Sequence, residues 1–286
     1  MQQHSTRTPL VSVVVTCFNY DRMLPRALES VRAQTTADWE LVIVDDGSTD
    51  TSRDVALNFA AAHPESAVSL VFTRNGGLGR ARNLGISVAR GRYVACLDAD
   101  DHYEPHALEK LSAALDRDPT AEVARPYLRS FGVEERIWEY PDYDFDASTS
   151  VNQAPYCAMF RRSAWQRAGG YHEGMPAYED WNFWIAVGKH GGHMTTVREP
   201  LLHYRTSVDG MFARHRVHDL ALRATIVSNH PDVYDSSCQR LARRILAGEN
   251  VDDDLKAGPP HAIFALSYPA RSLRGEDISA DFGAVS

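Results

Sequence analysis

Three carboxylates stand together in Asp98-Ala99-Asp100-Asp101, directly after the apolar run Tyr93-Val94-Ala95-Cys96-Leu97. Crowded acids repel one another, and hard oxygen donors suit Mg2+ or Mn2+, which keep waters and bridge to substrate phosphates. A solvated turn, or the cap of a helix starting near Pro105, would use the same residues. A second acidic pair, Glu179-Asp180, opens a helical pattern through Trp181, Trp184, Ile185 and Val187. A carboxylate there either complements the helix N-terminus or takes a proton from a reacting hydroxyl. Asp46, in Asp45-Asp46-Gly47-Ser48, is placed to accept hydrogen bonds from a base or ribose, unless it is simply the turn residue before Gly47. Gly76, Gly77 and Gly79 lead into Arg80, Arg82 and Asn83. Such a turn offers a diphosphate backbone amides and guanidinium groups, although solvated surface arginines have the same composition.

These residues need elements to hold them. Leu10 to Thr16 and Leu41 to Val44 are continuous β-branched and apolar runs, as in strands covered on both faces. Between them, Leu24, Leu28 and Val31 recur at helical spacing. A helix capped by Ser48, Thr49 or Asp50 runs through Val55, Phe59 and Ala62. Val68 to Thr73 reads as a third strand, Leu78 to Ala89 as a helix, and Gly91 as the hand-over to the strand that ends at the acids. This alternation through residue 118 predicts a parallel sheet with crossover helices. The carboxyl ends of its strands form the crevice, so Thr16 to Asn19, Asp46 and Asp98 to Asp101 are expected to converge.

Past residue 120 the rhythm breaks. Glu122 to Trp138 reads as one or two strands, Trp138 to Asp146 as an aromatic and acidic loop, and Tyr156 to Arg161 as a further strand. Arg167 to Tyr171 reads as a turn, and the chain from Met211 onward as mostly helical, with helices around Leu220 to Val227 and Leu241 to Leu246. The expected divisions are residues 1–118, 119–210 and 211–286.

With 286 residues and 44% hydrophobic content, the chain can bury a large core. A net charge of -8 argues against nucleic acid as the main partner. Lys110, Lys189 and Lys256 are the only lysines, which leaves phosphate contacts to arginine and backbone amides. Cys17, Cys96, Cys157 and Cys238 are far apart, as expected for reduced buried thiols. Residues 1–8 lack a signal-peptide pattern, and no run could span a bilayer. A soluble, cytoplasmic protein is expected, with peripheral membrane contact and oligomeric state left open.

Gly-x-Gly-x-x-Gly is missing after the first strand, which instead ends in Thr16-Cys17-Phe18-Asn19, small or polar groups with a ring suited to a nucleobase. Four segments now stand in one order: Val13 to Asn19, Val44 to Asp50, Gly79-Arg80-Ala81-Arg82-Asn83-Leu84-Gly85, and Leu97-Asp98-Ala99-Asp100-Asp101. In that order the chain resembles the family 2 glycosyltransferases of GT-A fold, closely over residues 9–118 and more loosely to Arg205. The resemblance implies an α/β fold, a Rossmann-like mostly parallel sheet with flanking helices, followed by the helical extension. It implies inverting transfer of a sugar from a nucleoside-diphosphate sugar, a UDP-sugar above all, to a saccharide, lipid-linked or small-molecule hydroxyl. Thr16, Phe18, Asn19 and Asp46 would hold the nucleoside, with Arg80 and Arg82 near the diphosphate. Asp98 and Asp100 would meet ribose, diphosphate and Mn2+ or Mg2+, with Asp101 as a further ligand or support. Asp180 would be the base, with Glu179 as its support or as the base itself.

One departure concerns the metal. Relatives carry a histidine shortly after a Tyr-Arg segment, whereas Tyr204-Arg205-Thr206-Ser207 has serine there. His203 or His215 could replace it, and His215 with His218 could share a helix face as ligands. Trp138, Tyr140, Tyr143 and Phe145 either stack on an acceptor sugar or pack as a surface loop. Trp181 and Trp184 are expected to divide between acceptor and core. Arg240, Arg243 and Arg244 would meet anionic lipid or solvent. The rival readings are a sugar-phosphate nucleotidyltransferase and a catalytically silent sugar-nucleotide-binding protein.

Overall fold

A computed structural model describes residues 8–208, 210, 214 and 218–264. The chain divides into two compact units, one from Met1–Ser148 with Asn152–Arg216, the other from Thr149–Val151 with Val217–Ser286.

In the first unit, β1 (Val11–Cys17), β2 (Trp39–Asp45), β3 (Val68–Phe72) and β4 (Tyr93–Asp98) pair in parallel in the order β3-β2-β1-β4. All seven residues of β1 are buried, so its unbroken Val-rich run reflects cover on both faces. The crossover helices are α1 (Leu24–Arg32), α2 (Ser52–Ala62) and α3 (Leu78–Val88). Gly77, at φ +88°, starts α3, and a side chain at Gly85 would strike Val14 and Val44. That glycine lets α3 lie close on the sheet and fixes the height of Arg82 within it.

The sheet then continues through β5 (His102–Tyr103), β6 (Ala121–Gly132), β7 (Ile137–Trp138), β8 (Met159–Arg161) and β9 (His193–Thr206). Its order runs β4-β8-β6-β9-β5, with β7 on β6. β8 is antiparallel to β4 and β6, and β9 is parallel to β6. The helices here are α4 (Ala107–Arg117), α5 (Phe145–Ser148), α6 (Arg162–Ala168) and α7 (Glu179–Lys189).

The expected strand at Tyr156 to Arg161 shortens to β8, and α6 occupies most of the stretch before the Gly169-Gly170 turn. The 14-residue β9 has no regular alternation and contains Pro200, which faces Tyr127 at a register shift beside Pro126. Proline removes a ladder donor, and β9 carries the unpaired residues here, two between Val197 and Pro200 and one between Pro200 and Leu202, so it bulges against an uninterrupted β6. All four cysteines are buried and free.

Among its described residues the second unit is helical, with α8 (Asp219–Asn229), α9 (Ser236–Leu246), α10 (Asp252–Lys256) and a short 3-10 turn. Asp235 caps α9 through the amides of Ser237 and Cys238. No helix among the described residues is long and apolar enough to cross a membrane.

Candidate active site

Parallel register places Thr16 opposite Asp98 and Cys17 opposite Asp45. The Thr16 hydroxyl donates to Asp98 Oδ1 at 3.2 Å, and the Asp46 amide donates to the Cys17 carbonyl at 2.9 Å. The tips of β1, β2 and β4 therefore converge.

Just past the tip of β1, Phe18 projects with 42% of its surface exposed. Asn19 lies in left-handed backbone at φ +60°, and its Oδ1 accepts from the Thr49 amide at 2.7 Å. Its own amide donates to Ser48 Oγ at 2.9 Å, so the loops after β1 and β2 are tied together. The buried Asp46 carboxylate accepts from the Gly76 and Gly77 amides at 3.0 and 2.9 Å. Burial lifts its pKa, and those two amides oppose the rise. Arg80 curls back onto Thr73 Oγ1 and the Arg74 carbonyl, both at 3.1 Å. Asn83 pins the Gly170-Tyr171 turn, accepting from the Tyr171 amide at 2.8 Å and from Trp165 Nε1 at 3.0 Å.

Arg82 corrects the sequence reading. Expected at a diphosphate, it is 1% exposed, and its guanidinium lies between two acids. Nη1 donates to Glu179 Oε1 at 2.6 Å and Nη2 to Asp98 Oδ1 at 3.0 Å, while Tyr156 and Tyr171 present their rings at 4.9 and 5.5 Å. The forked cation thus joins the tip of β4 to the start of α7. Its Nε is buried without a partner.

Asp101, expected as a further ligand or support, turns inward. Its Oδ1 accepts from the Arg205 amide at 2.6 Å and its Oδ2 from the Tyr156 hydroxyl. Burial, then the charges of Asp100 and Asp98, push its pKa well up. Asp100 stays half-buried, with Arg205 Nη1 at 3.6 Å, and burial with the charge of Asp98 raises it to about 6.

At α7, Tyr178 stands in left-handed backbone at φ +62° and turns the chain into Glu179. Asn19 and Tyr178 are the two non-glycine residues with positive φ among the described residues, and both adjoin this cluster. Glu179 is buried on Arg82. Asp180 is half-buried, accepting from its own helix at Trp181 N (2.7 Å) and from Asn152 Nδ2 (3.0 Å). Burial raises both acids, with Arg82 opposing.

Of the histidine substitutes, only His203 lies within the described residues, and its partners are outside this cluster. His203 bonds Glu104 Oε1 at 2.6 Å and stacks on His102 at 4.3 Å, and His215 lies outside the described residues, so its pairing with His218 does too. Among the described residues no group of three or more His, Cys, Asp or Glu is arranged to hold a metal. Trp181 and Trp184 do not divide, since both are buried; Trp181 Nε1 donates to the Ser148 carbonyl at 2.7 Å. Tyr140 and Tyr143 pack around the buried Arg125, and Phe145 lies against Gly188. In the second unit, Arg240 and Arg243 are exposed and Arg244 pairs with Glu249 and Asp254.

Sequence reasoning missed Asn152 and Tyr156, which no spacing marks. Each acts through one side-chain group on an acid distant in the chain.

Residues 12–169 match the model for glycosyl transferase family 2. The chain belongs to this family. Among its relatives, a glycosyltransferase of Nostoc sp. is 48% identical over 101 residues, covering 35% of this chain and 31% of the relative. The chondroitin synthase of Escherichia coli is 29% identical over 189 residues, 65% of this chain and 27% of that protein. The chain spans about a fifth to a third of the length of the curated relatives it matches first.

Two solved structures share the GT-A fold. Staphylococcus aureus TarS 1-349, in complex with UDP-GlcNAc, is 17% identical with a TM-score of 0.63 over 83% of this chain and 70% of that one. The mannosyltransferase PcManGT from Pyrobaculum calidifontis, in complex with GDP-Man and Mn2+, is 20% identical with a TM-score of 0.60 over 88% and 79%. The family 2 match includes Asp46 and the Asp98 to Asp101 turn and ends before Glu179.

Proposed function

We propose that the chain transfers a glycosyl group from a nucleoside-diphosphate sugar to an acceptor hydroxyl with inversion. A UDP-sugar is the first donor to test. The observation that supports this reading is the Arg82 bridge, which brings Asp98 and Glu179, the neighbour of Asp180, onto one buried guanidinium. The nucleoside lies over Phe18, with Asn19 and Asp46 fixing the loops around it. Asp180 takes the proton of the attacking hydroxyl. Glu179 stays on Arg82 and holds the first turn of α7 in place.

The open acids suit a hard divalent cation. Asp98 and Asp100 present carboxylate oxygens from one turn; Asp100 is raised by burial first and by the charge of Asp98 second, and a cation between them would offset both. With two protein carboxylates, the other positions fall to water and donor phosphates, as Mg2+ and Mn2+ accept. When bound, the cation offsets charge on the departing diphosphate.

Titration calorimetry with UDP, GDP and UDP-GlcNAc, with and without Mn2+, tests the donor site. Mn2+-dependent binding that disappears in Asp100→Ala is expected. Folded protein that binds none of the three nucleotides in either condition refutes the proposal.

A further inference from the structure

We propose that Asn152 is a positioning residue for the Asp180 carboxylate. The inference rests on the reading of Asp180 as the base, and its geometry can be tested apart from that reading. Asn152 Nδ2 donates to Asp180 Oδ2 at 3.0 Å, and the other carboxylate oxygen is held by the Trp181 amide at 2.7 Å. One contact belongs to the helix itself; the other comes from a separate segment and sets the rotation of the carboxylate about its own axis.

The amide cannot turn over freely. Asn152 Oδ1 accepts from the Ala154 amide at 3.2 Å, which leaves the NH2 facing Asp180. The segment is fixed on either side. Trp181 Nε1 holds the Ser148 carbonyl at 2.7 Å, and Arg125 holds the Gln153 carbonyl. Gln153 Oε1 also accepts from the Asp144 amide at 3.1 Å. The Trp181 that anchors Ser148 also donates its backbone amide to Asp180, so segment and base are referred to the same residue.

The charged groups acting on Asp180 are Arg82 from α3, Glu179 from its own helix and Asp98 from β4. The charge of Asp180 in turn acts on the buried phenols of Tyr140, Tyr171 and Tyr204. Asn152 supplies the side-chain hydrogen bond that favours its ionised form.

The test is the carboxylate titration of Asp180 by NMR in full-length protein labelled with 13C-aspartate, its signal assigned by its loss in Asp180→Asn. In Asn152→Ala the midpoint is expected to rise by about one pH unit, the size of a lost hydrogen bond to a charged group. Asn152→Asp keeps the acceptor for Ala154 and replaces the donor with a like charge, so a larger rise is expected in a side chain of the same shape. An unchanged midpoint in both variants overturns the inference.

UDP release from UDP-GlcNAc with Mn2+ is read in parallel, with roughly tenfold lower kcat and unchanged KM expected for Asn152→Ala, in the range typical of lost supporting contacts. Wild-type turnover in Asp180→Asn would refute the base assignment alone, leaving the titration to decide the Asn152 contact.

Discussion

The turn after β4 and the start of α7 each carry adjacent acids, and in both places the neighbours separate into an inner and an outer member. Asp101 is buried on Tyr156 and the Arg205 amide, while Asp100 stays half-buried at the rim. Glu179 is buried on Arg82, while Asp180 stays half-buried. The two inner acids are held by different chemistry, a hydroxyl with a backbone amide in one case and a guanidinium in the other. Each fixes the backbone next to an acid that remains available. Adjacent carboxylates need not share a task; a rigid one makes its neighbour precise.

Four changes would break or sharpen this contrast. The largest expected effect is on the outer acid of α7: Asp180→Asn lowers donor-dependent turnover by about 10²–10⁴-fold with donor affinity kept, the range of general-base catalysis. Steady-state kinetics beside calorimetry check it, and near-normal turnover would remove Asp180 from the chemistry. Next is the inner acid's partner. Arg82→Ala leaves Glu179 buried without its cation and costs about 3–5 kcal/mol in urea unfolding, whereas Arg82→Met with Glu179→Gln recovers part of that loss. If the double variant is no better than the single one, the ion pair is not what the fold needs there.

For the inner acid after β4, Asp101→Ala strands the Tyr156 hydroxyl and the Arg205 amide and costs roughly 1–3 kcal/mol by the same measurement. The smallest effect concerns its outer neighbour. Asp100 is raised from 3.8 to about 6 in the folded chain, so its ionised form is disfavoured there, and its contribution to stability falls as pH rises through that window. Asp100→Asn should therefore gain roughly 1–2 kcal/mol near pH 7.5 and almost nothing near pH 4. A gain independent of pH in thermal melts would contradict the assignment.

Much of the first half of the fold was legible because one kind of signal repeats. The Val-rich run of β1 and Leu41 to Val44 of β2 are buried on both faces, and such strands need no alternation to be seen. The approach of Thr16 to Asp98 follows when the apolar run of β4 is read the same way and parallel strands are taken to end on one side of the sheet. β9 was not legible: Pro200 and the bulges interrupt its pairing, and its residues have no strand period. Its place beside β6 comes from long-range pairing, which leaves little local trace. Arg82 was found in sequence but given the wrong neighbour, since a guanidinium reads the same whether it faces phosphate or a buried carboxylate.

By itself the sequence determined where acids could gather, because parallel strands end on one side of a sheet and turn residues follow them. Tertiary structure alone decided which acids remain open. Arg82 and Glu179 are 97 residues apart, Tyr156 and Asp101 55, Arg205 and Asp101 104, and Asn152 and Asp180 28. Burial and hydrogen bonding act over a few ångströms in space, and positions so distant in the chain become neighbours only when the sheet and its helices have closed around them.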